Sequence, residues 1–262
     1  MNWVRVDQVL DALLPPRCVL CGRRIAQGPV CAGCEADLPW LPACCTRCGL
    51  LLPPLPPSLQ ASTSTPAVCG ACPPAFQAFA SVGSALSYTF PVDRLIAAAK
   101  FGRQLPVARA LGELLALRMP VPTEPPDAVV PVPLHWRREA ERGFNQAEEI
   151  ARALCLRRDW PLRTDLCRRV RATLEQSGLG ATERQQNLRT AFVLRERRWQ
   201  TAPVRRVLLV DDVLTTGATA QALASVLRQA GVEEIHLCTV ARTLARSAGP
   251  ATVQAQPAVR NV

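Results

Sequence analysis

The sequence predicts an α/β protein, a parallel sheet wrapped by helices and preceded by a small cysteine-rich module. Three observations lead there. Nine of the twelve cysteines fall before residue 73. From about residue 80 to residue 245 apolar strand-like runs alternate with helical stretches. One of those runs, Val207-Leu208-Leu209-Val210, leads directly into two aspartates and a small-residue turn. With 262 residues, 48% hydrophobic and 20% charged, the chain can bury a normal core, which excludes wholesale disorder.

Residues 1–15 place Trp3, Val6, Leu10, Leu13 and Leu14 on one face, the pattern of a short amphipathic helix stopped by Pro15-Pro16. Asp7 and Asp11 interrupt any signal-type apolar core. No apolar stretch approaches the roughly 20 residues of a transmembrane helix. The expectation is a soluble, cytoplasmic protein with no transmembrane segment.

Residues 16–78 form the cysteine-rich module. Eight thiols pair as Cys18/Cys21, Cys31/Cys34, Cys45/Cys48 and Cys69/Cys72, each at C-x2-C spacing. Two thiolates on one tight knuckle can meet a tetrahedral Zn²⁺ at about 2.3 Å, and two knuckles complete a closed, structural site. Sequential pairing joins the first two knuckles and the last two, and a cross-brace joins first to third and second to fourth. Shorter loops favour the sequential arrangement. Cys44, beside Cys45, is a spare or a substitute ligand. Within the module, residues 51–66 are rich in proline and serine and read as a flexible loop.

In residues 80–245, the run 81–90 reads as a strand, followed by a helix from Pro91 through Lys100 and a second helix over 105–118. A short strand follows at 127–133, then a polar loop, then a helix over 144–157. The buried strand ending in Leu208-Leu209-Val210-Asp211-Asp212 comes next, with a helix over 218–230 and a last strand at 234–242. Residues 246–262 read as a loose tail.

Charge is unevenly spread. Lys+Arg number 31 against Asp+Glu 21, a formal +10, and every base but Lys100 is arginine. Residues 137–206 hold 17 basic and 9 acidic side chains. Such a cationic stretch suits an anionic partner, nucleotide phosphates or nucleic acid.

The chemistry concentrates in residues 207–219. A buried strand delivers two adjacent carboxylates to its carboxyl end, and the turn that follows opens a helix. Backbone N–H groups and threonine hydroxyls at such a turn make an anion nest. Carboxylates beside that nest are acceptors for vicinal ribose hydroxyls, with donors for a 5′-phosphate next to them. A second anion-binding segment is Pro131–Gln146, where Arg137, Arg138 and Arg142-Gly143 precede a helix. His135 in this loop reads as solvent-facing rather than as a catalytic base. Residues 168–192 carry Arg169, Arg171, Gln176, Arg184 and Asn187, with Gly178 and Gly180 suggesting a mobile excursion.

The Asp211–Thr219 string resembles the phosphoribosyl-pyrophosphate (PRPP) loop of type I phosphoribosyltransferases. The cysteine knuckles, the Tyr88 strand, Lys100-Phe101, Pro131-Val132-Pro133, Arg142-Gly143-Phe144-Asn145-Gln146 and that loop, in this order, resemble the ComF family (ComFC, GntX). These proteins are linked to DNA uptake in natural transformation. The resemblance implies a zinc-ribbon-like module on a type I phosphoribosyltransferase fold. It implies Asp211 and Asp212 as the catalytic pair holding the ribose hydroxyls, and Thr215, Thr216, Gly217, Ala218 and Thr219 as the phosphate cradle. Arg137 and Arg142 would sit in the diphosphate loop, and Arg169 and Arg184 in a flexible hood. Lys100 would complete the PRPP-binding set, and Mg²⁺ would accompany the diphosphate. Two functions follow. One is a PRPP-dependent phosphoribosyltransferase serving DNA uptake or nucleotide metabolism. The other is a non-catalytic nucleotide sensor that binds single-stranded DNA and works with the competence DNA-transport machinery. A pure zinc-ribbon nucleic-acid binder fits poorly, because the knuckles offer only Arg17, Arg23, Arg24 and Arg47.

Overall fold

A computed structural model describes residues 16–53, 68–70, 72–119, 122, 124–171, 190–199 and 204–244. The expected helix over 3–14, most of the 51–66 loop, Arg184 and Asn187 of the hood, and the tail lie outside them. A five-residue helix, α1 (Ala32–Ala36), sits in the cysteine module, and a single 3₁₀ turn (Pro74–Phe76) leads out of it. The α/β part then runs β1 (Ser81–Ser87), α2 (Val92–Phe101), α3 (Leu105–Arg118), β2 (Ala128–Pro131), α4 (Trp136–Arg142) and α5 (Gln146–Arg158). It continues with β3 (Cys167–Arg169), β4 (Phe192–Leu194), α6 (Glu196–Trp199), β5 (Arg206–Leu214), α7 (Ala218–Gln229) and β6 (Glu234–Arg242). No described helix is long and apolar enough to cross a membrane.

Strands β1, β6, β5 and β2 lie in that order, all parallel, and β3 pairs with β4 as a separate antiparallel ribbon. Parallel strands buried on both faces are rich in apolar residues, as in Val207–Val210 of β5 and in most of β6. Leu208, Val210, Cys238 and Val240 pack into one core layer with α2, α3 and α5. Val207, Leu209, Ile235 and Leu237 pack into the other, beneath α7. Helix α3 lies close against α5 because residue 112 is glycine; a Cβ there would collide with the Ile150 carbonyl oxygen. The helices that follow β2 and β5 thus leave on opposite faces. In an open parallel sheet this opens a crevice between the carboxyl ends of the two strands, where ligands bind.

The cysteine module closes the outer edge of β1. Ser87 N donates to the Pro39 carbonyl at 2.8 Å, Leu41 N to Ala85 at 2.9 Å, and Val82 N to Thr46 at 2.7 Å. Cys18, Val30 and Leu38 join the α3/α5 core layer, and Cys45, Cys48, Cys69 and Phe76 join the α7 layer.

Three expectations need correction. The stretch after Pro133 holds a helical segment, α4, which seven largely polar residues without an apolar stripe do not announce. His135 is not solvent-facing. It is 6% exposed and caps α4 by accepting from Arg137 N at 3.3 Å. Strand β5 also runs on through both aspartates to Leu214, pairing Asp211 with Thr239 and Val213 with Ala241.

Candidate functional site: two thiol clusters and the carboxyl edge of the sheet

The eight paired cysteines gather as Cys18, Cys21, Cys31, Cys34 and as Cys45, Cys48, Cys69, Cys72, the Sγ atoms of each group all within 4.8 Å of one another. This is the sequential pairing. Neighbouring sulfurs stand 3.4–3.7 Å apart in Cys21–Cys31, Cys48–Cys69, Cys69–Cys72 and Cys45–Cys72. Four thiolates at about 2.3 Å from one tetrahedral ion are about 3.8 Å apart, so both groups fit Zn²⁺. The thiols also compete for charge. Their mutual contact pulls Cys45 down to about 4 and pushes Cys48 up. A divalent cation removes that conflict by stabilising every thiolate together. Cys44 stays outside, its thiol donating to the Pro42 carbonyl at 3.3 Å.

At the carboxyl edge of the sheet the two aspartates have different surroundings. Asp212 is buried, its Oδ2 3.0 Å from Lys100 Nζ and accepting from Gln146 Nε2 at 3.0 Å. Arg142 Nη1 donates to Gln146 Oε1 at 3.0 Å, so the start of α5 ties Asp212 to α4. Asn145 fixes that start: its Oδ1 accepts from Ala147 N and its Nδ2 donates to the Val132 carbonyl. Asp211 is only half-buried and lines a small pocket with Thr215, Gly217, Ala218, Thr219 and Ala220. Burial first, and the Asp212 charge second, push Asp211 up to about 7.

The bend that follows is built for close approach. Gly217 adopts φ +79° as the N-cap of α7 and has no side chain with which to cap it. Thr215 and Thr216 are exposed, and Ala218 N donates weakly to Thr216 Oγ1 at 3.4 Å. The first-turn N–H groups of a helix have no partner within it, which leaves donors for an anion.

The arginines divide. Arg169, at the end of β3, bears on Asp211 electrostatically and is crowded by Arg138; its guanidinium is pulled down chiefly by burial. Arg142 lies over the Phe101 ring at 5.3 Å, and Arg137 over the Trp136 ring at 5.3 Å. Arg169 also borders a cavity of about 670 Å³ that includes Leu134, Trp136, Asn145, Asp165 and Arg168. Lys100, Asp211, Asp212, Thr215–Thr219, Arg142 and Arg169 are therefore collected along one edge. Arg137 is turned onto Trp136.

Three neighbours of the site carry no motif. Gln146 closes the Arg142–Gln146 segment, and nothing in its residue type or spacing marks it as the partner of Asp212. Phe76 lies under Gly217, where an added Cβ would come within 2.8 Å of its Cζ. Arg242 ends β6, 4% exposed, its charge centre 5.5 Å from the Phe76 ring centroid.

Comparison with known proteins agrees with this architecture. The family model for the Double zinc ribbon domain matches residues 9–73, and that for the Phosphoribosyl transferase domain matches residues 140–256. Competence protein F of Haemophilus influenzae is 36% identical over 236 residues, covering 86% of this chain and 96% of that protein. DNA utilization protein YhgH of Salmonella typhimurium is 34% identical over 245 residues, 88% and 99% of the two chains. A hypoxanthine/guanine phosphoribosyltransferase of Methanosphaerula palustris is 51% identical over 35 residues, 13% of this chain and 19% of its own. With two four-cysteine zinc sites, a parallel phosphoribosyltransferase-type sheet and likeness to these relatives over most of its length, the chain belongs to the family of competence protein F and YhgH.

Proposed function

We propose that the carboxyl edge of the sheet binds PRPP with Mg²⁺ and that the chain is a phosphoribosyltransferase acting in the cytoplasm, in DNA uptake or nucleotide metabolism. The observation that carries this reading is the pocket shared by the Asp211 carboxylate and the Thr215–Ala220 bend. An acceptor for ribose hydroxyls and a set of N–H and hydroxyl donors for a 5′-phosphate then stand side by side. The names of the relatives, competence protein F and DNA utilization protein YhgH, support the DNA-linked role.

In this reading Asp211 accepts from the ribose hydroxyls, and Thr215, Thr216 and Thr219 hold the phosphate with the N–H groups of α7. Asp212 and Lys100 neutralise one another in the ground state. Movement of Lys100 onto the diphosphate would free Asp212 to face charge developing at the anomeric carbon. Arg142 and Arg169 neutralise the diphosphate, with Arg137 and Arg184 as further ligands of it. Mg²⁺ suits an oxygen-rich site of carboxylate and diphosphate, where it would neutralise the leaving group. The 670 Å³ cavity beside Arg169 is within the range of small-molecule sites and is large enough for a nucleoside-sized acceptor.

A second reading rests on exposed aromatics beside arginines. Trp136 is 64% exposed with Arg137 over its ring, and Phe101 is 76% exposed with Arg142 over its ring. Stacking platforms next to cations suit single-stranded nucleic acid. A non-catalytic nucleotide sensor that handles DNA would use that surface.

Calorimetry with PRPP and Mg²⁺ is the test. Binding by the native chain and its loss in Asp211→Ala is the expected result, and diphosphate release with a nucleobase acceptor separates enzyme from sensor. Absence of PRPP binding by the native chain would overturn the site.

A further inference from the structure

Arg242 is a buried cation that the catalytic reading does not use. It ends β6, with its Cα paired to Leu214 on one side, one residue before the phosphate bend, and to Ser87 on the other. It is 4% exposed, and among the described residues its Nε and Nη1 have no hydrogen-bond partner. An unpartnered buried guanidinium is costly unless a compensating charge lies near. The groups whose charge bears on it are thiols, Cys48 first, then Cys44, Cys45 and Cys69. Three of those four belong to the second four-cysteine cluster.

The contacts continue in both directions. On the cluster side, Gly49 follows Cys48 at φ +69°, and a Cβ there would come within 3.2 Å of Arg242 Nη1. A side chain at position 49 would push into the guanidinium. On the other side the guanidinium lies over Phe76, and Phe76 fills the space under Gly217. A run of close neighbours therefore leads from Gly49, next to Cys48, through Arg242 and Phe76 to the cap of α7.

We infer that Arg242 is a positioning residue that couples the second zinc site to the phosphate-binding bend. Four thiolates around one Zn²⁺ carry a net charge of −2, and Arg242 is the buried cation placed to offset it. Its positive charge supplies that compensation from beside the Cys48-Gly49 knuckle, and its flat face braces Phe76 beneath Gly217. The second cluster is thereby part of the binding edge, whereas the first cluster, packed into the α3/α5 layer, is not. The bend half of this inference rests on the function proposed above, and the zinc half stands without it.

The test uses the full chain loaded with two zinc ions, with Arg242→Met and Arg242→Lys as variants and zinc retention against a chelator as the first readout. Outer-shell partners of metal ligands change affinity by about 10–100-fold, and that loss is expected for one of the two ions in Arg242→Met. Arg242→Lys keeps the charge and is expected to hold the second ion. Charge-transfer bands of Co²⁺-substituted protein should shift for one cluster alone. The second readout is binding of ribose 5-phosphate, expected to weaken about tenfold in Arg242→Met and in Phe76→Leu, with zinc retention unchanged in Phe76→Leu. Unchanged retention of both ions in Arg242→Met would overturn the inference. If that variant does not fold, Arg242→Lys decides: loss of its second zinc would overturn the charge argument. Failure of the native chain to bind ribose 5-phosphate would sink the phosphate site and leave the zinc readout intact.

Discussion

Lys100, the only lysine in the chain, sets its ammonium 3.0 Å from the buried carboxylate of Asp212. An ion pair at the mouth of a candidate site holds charge ready while the site is empty. It also makes each partner hard to remove singly, because the other is then left buried without a counter-charge.

Lys100→Met is therefore expected to destabilise the fold by about 3 kcal/mol. Urea unfolding of this variant and of the double variant Lys100→Met/Asp212→Leu checks it. The double variant should recover most of the loss, since it buries no lone charge.

Asp211 gives a signed pH dependence. Its folded-state value is raised to about 7 by burial and by Asp212, above the ordinary carboxylate value of 3.8. Its contribution to stability is thus fully present below about pH 4 and is lost as the pH rises through about 7. The difference in unfolding free energy between the native chain and Asp211→Asn, followed from pH 4 to pH 8, should move against the native chain.

Gly217→Ala combines a strained φ of +79° with a Cβ only 2.8 Å from Phe76 Cζ. A loss of about 1–3 kcal/mol is expected, with weaker ribose 5-phosphate binding. Gly231→Ala, at φ +94° with open space around it, controls for backbone strain alone and should leave phosphate binding unchanged.

Removing zinc should act in two separate steps. Native protein is expected to carry two ions, with Cys21→Ser losing one and Cys48→Ser losing the other, measured by elemental analysis. Cys48 is fully buried in the α7 core layer and Cys21 is exposed. Cys48→Ser should therefore lower the unfolding temperature more.

Much of this was legible in the sequence because its signals are local. C-x2-C spacing needs only a tight turn, and Val207–Val210 of β5 and most of β6 are apolar because both faces are covered. The helices over 105–118 and 218–230 lie within a residue of their observed ends. What sequence could not carry is relations between distant segments. Phe76 beneath Gly217, Arg242 against Gly49 and Gln146 on Asp212 each join segments that only the sheet order brings together. His135 misled because a lone histidine in a polar stretch looks solvated, and its burial depends on α4.

The strip from Pro39 to Leu41 that borders β1 has a consequence for dissection of the protein. Excising everything before residue 80 would strip a flank from the sheet and leave a raw row of backbone donors and acceptors on β1. Such a rim invites self-association. The transferase-like half is therefore no detachable unit, since the cysteine module is one wall of its sheet.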